Sequence, residues 1–197
     1  MTDRRTWAGT PLADRRTARR EALLDAGVAA LGSPDARPLT VRGVCRTAGL
    51  TERYFYESFD DRDAFVRAAY DHVAARAERH LAEASGETRA DAQNARRAVT
   101  AFVDLMVDDS TVGRALLLAP TYEPALSSRG AARALGFVAL VRSQMPASTP
   151  PVDAELAAIS IVGALTGLLM AYLSDAVAVD RDHLTQSCVN AVLALGA

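Results

Sequence analysis

Between Ala22 and Leu193 the apolar residues recur three and four positions apart, and no stretch keeps up the two-residue alternation of a half-buried strand. That rhythm restricts the chain to packed helices. Ala, at 40 of 197 positions, strengthens the restriction, because it gives up no side-chain entropy on entering a helix. Gly32-Ser33-Pro34-Asp35, Pro38, Gly49, Asp60-Asp61, Ser85-Gly86, Pro120, Pro124 and the run from Pro146 to Pro151 punctuate the pattern. The spacing predicts an all-α protein with helices near 14–31, 41–47, 52–57, 61–84, 88–108, 111–119, 123–145, 153–177 and 181–195, the first capped by Asp14. A chain of this length with half its residues hydrophobic buries a core without metal or disulfide staples.

The two cysteines, Cys45 and Cys188, have no second thiol or imidazole at ligand spacing, so neither a zinc site nor a disulfide framework is expected. That usage suits a reducing cytoplasm. Cys45 reads as a small buried hydrophobe or as a redox-sensing thiol. The first 13 residues are charged, lack an apolar run, and read as a flexible arm rather than a signal peptide. Leu156 to Ser174 is 19 residues without a charge and includes Gly163-x-x-x-Gly167, yet Ser, Thr, Gly and Ala dilute it. A helix buried against a second subunit is expected there rather than a membrane span.

Charge is segregated. Residues 1–56 carry ten Arg and six acids, +4; the remainder carries twelve Arg and eighteen acids, −6; there is no Lys. An Arg excess at one end of an otherwise acidic protein points to a nucleic-acid contact confined to that end. Arg4, Arg5, Arg15, Arg16, Arg19 and Arg20 either track a nucleic-acid backbone or belong to a solvated arm.

The informative stretch runs from Leu39 to Phe65. Thr40 is placed to cap a short helix whose Val41, Val44, Cys45 and Ala48 share one face. Gly49 tolerates the positive φ that a tight inter-helix turn demands. Thr51 is placed to cap the next helix, which Phe55 and Phe59 anchor inward, leaving Glu52, Arg53, Tyr54 and Tyr56 pointing largely outward. Positioning helix, Gly turn and exposed second helix make a helix-turn-helix, whose second helix fits the DNA major groove. Arg suits guanine edges and phosphate; Tyr suits phosphate and thymine methyls.

In Thr40, Val41, Arg42, Val44, Ala48-Gly49-Leu50, Thr51, Phe55-Tyr56, Phe59 and Arg62 the segment resembles the DNA-binding domain of the TetR family of bacterial transcriptional regulators. The motif covers about residues 18–70. The resemblance implies that Thr40, Thr51, Tyr56 and Arg62 clamp phosphates, that Glu52, Arg53 and Tyr54 face bases, and that Arg42 reaches a base edge or phosphate. Where the family usually has His, this chain has Ser58; Arg62 replaces the usual Lys, and the bulky Arg53 replaces a small residue. The operator sequence therefore does not carry over.

The resemblance further implies a DNA-binding unit at 14–60 and a ligand-binding and dimerisation body at 61–197. The last two helices of two subunits would form a four-helix bundle, with Ala157, Ile161, Leu165, Leu168, Tyr172, Leu184 and Val192 at the interface. The near-uniform apolarity of the 153–177 helix supports this independently, because such a helix must be covered on several sides. A two-fold dimer presents its recognition helices roughly 34 Å apart to a palindromic double-stranded operator. Phe102, Met106, Leu117, Tyr122, Phe137 and Met170 are candidate linings for an effector pocket. Few ionisable groups accompany them, so a small apolar or weakly polar effector is expected, acting by shifting the 61–84 helix. The implied protein is a cytoplasmic, non-enzymatic regulator, a repressor released by its effector, with no cofactor or metal. Two other classes compete: a membrane-tethered interaction protein, and a metal-dependent helical enzyme using Asp60-Asp61-x-Asp63 or Asp104-x-x-x-Asp108-Asp109. His72, His80 and His183 offer neither one a partner at a recognisable spacing.

Overall fold

Helix follows helix throughout this computed structural model, which describes residues 12–35, 38–85 and 92–196. The expected arm, including Arg4 and Arg5, lies outside the described residues up to position 11. The elements are α1 (Leu12–Leu31), α2 (Val41–Thr47), α3 (Glu52–Tyr56), α4 (Arg62–Ser85), α5 (Ala92–Asp108), α6 (Ser110–Gly113), a π-helical turn (Arg114–Leu118), α7 (Ala119–Tyr122), a 3-10 turn (Pro124–Leu126), α8 (Ser127–Ser143), α9 (Pro151–Leu173) and α10 (Arg181–Leu195). No strand occurs among the described residues.

α4 is the spine. Its early residues pack on α1, and its length lies along α5. α8 and α10 both pack on α9, and α10 also lies against α5. Phe55 and Phe59 of the α3 region meet Phe65 of α4, with ring centroids 4.9–5.6 Å apart, in tilted and edge-on pairings that suit the ring quadrupoles. Most of the buried apolar residues form one continuous cluster from Leu23 to Val189. The first turns of α4 thus close the core of the α1–α3 unit.

Two caps differ from expectation. α1 begins at Leu12, so Asp14 lies inside its first turn, where a carboxylate suits the helix dipole but does not cap it. Thr40 does cap α2, its hydroxyl accepting from Gly43 N at 3.2 Å. Thr51 has the extended backbone of an N-cap, but its side chain accepts no such bond.

Pro120 explains the largest irregularity. Lacking an N–H, it cannot satisfy the carbonyl of Leu116 four residues earlier, and the helix widens into a π turn at 114–118. Tyr70 of α4 makes good the loss: its hydroxyl donates to Leu116 O at 3.2 Å. Burial pushes this phenol up to about 12. Gly32 follows α1 because any Cβ there would stand 2.0 Å from Thr111 O, and Gly49 holds φ +66° in the α2–α3 turn.

Candidate nucleic-acid interface

α2 and α3 separate two kinds of residue. Val44, Cys45, Phe55 and Phe59 are buried, while Arg42, Arg46, Thr51, Glu52, Arg53 and Tyr56 are exposed. The Arg42 and Arg53 side chains are 89% and 84% exposed, and Tyr56 is 58% exposed. Arg42 Nε stands 3.6 Å from Glu52 Oε1, and Arg53 Nε donates to Glu57 Oε1 at 3.0 Å one turn along. Exposed pairs of this kind contribute little to stability and exchange readily for another anion. Arg46 was not singled out by the motif; its position on the exposed face of α2 is what adds it.

Tyr54 differs from the outward placement expected. It is half-buried, and the Arg19 guanidinium of α1 lies 4.5 Å from its ring centroid. Arg16 donates to Glu57 O at 3.0 Å, and Arg20 lies over Phe59 at 5.1 Å. These arginines are therefore helical residues of α1 that fasten it to α3, not part of a loose arm.

Arg62 also departs from the expected phosphate clamp. Its guanidinium faces inward: Nε donates to Leu39 O at 2.8 Å, Nη1 and Nη2 to the two carboxylate oxygens of Glu123 at 3.1 and 2.5 Å, and Nη1 to Asp63 at 2.8 Å. Glu123 is 3% exposed, so this fork neutralises a charge held out of water. The Glu123 hydrogen bonds hold the Arg62 guanidinium above its ordinary range. The neighbouring Tyr122 hydroxyl donates to Leu31 O. Two consecutive residues at the end of α7 thus tie the body to the α1–α3 unit.

Behind this unit lies a cavity of about 380 Å³ walled by α4, α5, the π turn, α8 and α9, with Val192 of α10. Phe102, Leu117 and Phe137 line it, with the two phenylalanine centroids 6.1 Å apart. Met106, Tyr122 and Met170 do not. Met106 is fully enclosed core, Tyr122 turns to Leu31, and Met170 lies one turn beyond Thr166, past the last α9 residue that lines the space. Ala98, Ala131 and Ala134 leave the space that larger residues would fill. Arg133 is the charged lining residue, and the periodicity of α8 gave no sign that it faces in.

No family model matches the sequence, and no curated protein is significantly similar to it. Solved structures are similar in shape. A TetR-like transcriptional regulator from Rhodococcus sp. RHA1 superposes with a TM-score of 0.69 at 18% identity, over 89% of this chain and 93% of that one. A TetR-family regulator from Streptomyces coelicolor gives 0.73 at 16%, over 94% and 82%. The fold is that of the TetR-family regulators. A third protein of this fold, the multidrug binding protein EbrR complexed with imidazole, gives 0.63 at 21%, over 88% and 94%.

Within this TetR-like fold α9 presents an open apolar face. Val152, Leu156 and Ile159 are exposed, and Gly163 and Gly167 look into open space. α9 is also long and apolar enough, by length and composition, to cross a membrane. Of the residues expected at a subunit interface, Ile161, Leu165 and Leu184 are buried inside this chain, and Ala157, Leu168, Tyr172 and Val192 are half-buried. The open face is the opposite side of the same helix. Among the described residues there is no group of three or more potential metal ligands. Asp61 caps α4 at Ala64 N, Asp109 caps α6 at Val112 N, and Asp104 and Asp108 both bind Arg181.

Proposed function

We propose that this chain is a DNA-binding transcriptional regulator that acts as a homodimer in the cytoplasm, without enzymatic activity, and releases its operator when a small, mostly apolar effector fills the cavity. One observation carries the reading: Arg42, Arg46, Arg53 and Tyr56 are exposed on one side of a Gly-turned helix pair whose other side is core, on a TetR-like fold. Arg53, with Glu52, is assigned to base edges. Thr40, Thr51, Tyr56, Arg42 and Arg46 are assigned to phosphates or base edges. Tyr54 serves the unit by holding Arg19, and Arg62 serves it from within.

Residues 14–60 would be the DNA-reading unit and 61–197 the sensing and dimerising body. The open side of α9, with Gly163 and Gly167 permitting close approach, would meet its symmetry mate, joined by α10. Coupling would run from the cavity through Leu116 and Leu117 to Tyr122 and Glu123, and thence to Leu31, Leu39 and Arg62. An effector that favours one setting of these contacts would shift the spacing of the two DNA-reading units.

The experiment is selection of a preferred duplex from a random pool by the purified protein, followed by an anisotropy titration. The expected result is a palindrome, two chains per duplex, and a log–log salt slope of several units. Recovery of no sequence preference, or of one chain per site, contradicts the proposal.

A further inference from the structure

The polar lining of the cavity specifies its occupant more narrowly than apolarity does. Four lining residues carry polar side-chain groups: Tyr70, Arg133, Gln144 and Thr166. The Tyr70 hydroxyl is already given to Leu116 O. Arg133 has five N–H groups. Nε and Nη2 donate to Asp71 Oδ1 at 3.2 and 3.0 Å, and Nη1 donates to Glu78 Oε1 at 3.4 Å. Two N–H groups remain on a residue that lines the space.

The charge around Arg133 is closed. Asp71 also takes a fork from Arg129 at 2.6–3.1 Å, so two carboxylates face two guanidiniums. A ligand carboxylate would add an unbalanced charge against an apolar wall, at a desolvation cost that Arg133, 32% exposed and already paired with two carboxylates, does little to offset. A pure hydrocarbon would leave the two N–H groups without a ligand acceptor. A neutral carbonyl satisfies both conditions.

We propose that the cavity takes an uncharged lipophilic molecule bearing one hydrogen-bond acceptor, a ketone, ester or lactone, with that acceptor on Arg133 and its apolar body between Phe102 and Phe137. The proposal rests on the reading of the cavity as the effector site. It also places the ligand's polar end on the residue that pins α8 to Asp71 and Glu78 of α4, the helix that closes the DNA-reading unit's core.

The test is calorimetry at pH 7.5 with three probes of one skeleton: 2-acetonaphthone, 2-naphthoate and 2-ethylnaphthalene. The ketone is expected to bind roughly tenfold more tightly than the hydrocarbon and at least tenfold more tightly than the acid. Ala134→Phe, which fills the space, should abolish binding of all three. Arg133→Met should remove the preference of ketone over hydrocarbon while 2-ethylnaphthalene still binds. If that variant does not fold, the ranking in the unaltered protein with the Ala134→Phe control decides alone. Naphthoate binding as tightly as the ketone, ketone and hydrocarbon binding alike, or a ketone preference that survives Arg133→Met overturns the proposal and leaves the effector reading standing. If no probe binds, or Ala134→Phe leaves all binding intact, the effector reading of this cavity fails with it.

Discussion

Glu123 holds a carboxylate almost wholly out of water, and what makes this tolerable is the fork from Arg62. Removing only the cation strands the anion. Arg62→Met alone is expected to cost about 3 kcal/mol in urea unfolding, while Arg62→Met with Glu123→Leu together should recover most of it. Additive losses in that cycle would show that the two groups do not act as a pair. The thiols give a second residue-scale expectation. Burial, with Glu52 nearby, pushes the Cys45 thiol up, and burial raises Cys188 to about 11. Both should resist alkylation at pH 8 in the folded protein and react fully in urea; rapid native labelling of Cys45 would revive its reading as a sensor. The inward turn of Arg62 has a long-range cause. A residue three places past Phe59 looks like a surface cation in one dimension, and Glu123, sixty-one residues on, gives no local sign that it will be buried.

Among the elements, α4 and α8 meet through charge. Burial raises the Asp71 carboxyl, but hydrogen bonds and charge from Arg129 and Arg133 outweigh it and hold the group below the usual carboxylate range. A depressed folded pKa contributes stability above the unfolded value, near 4, that is lost as pH falls through the folded one. The melting temperature should therefore fall below about pH 4, less steeply in Asp71→Asn than in the unaltered chain. An equal fall in both would remove Asp71 from the account. The helices themselves were largely legible, because three-and-four spacing, the Thr40 cap and the Gly49 turn are local signals. The π turn was not, since it arises from Pro120 acting on a carbonyl one turn back. The sector of α9 that faces outward was not legible either. A helix apolar all round has no phase in its sequence, and only packing on α8 and α10 decides which side stays open.

For the whole molecule, the exposed strip of Leu156, Ile159, Gly163 and Gly167 is where a second copy is expected to sit. Ile159→Asp with Gly163→Arg should give a folded monomer by sedimentation, with operator affinity lost by at least tenfold; a variant that still sediments as a dimer would move the interface elsewhere. The DNA-reading role of α3 is tested most directly by the ratio of affinities for selected and scrambled duplexes, measured for the unaltered protein and for Arg53→Ala at one salt concentration. This ratio is expected to collapse towards one in Arg53→Ala, with the melting temperature unchanged. A ratio equal to that of the unaltered protein would contradict that role.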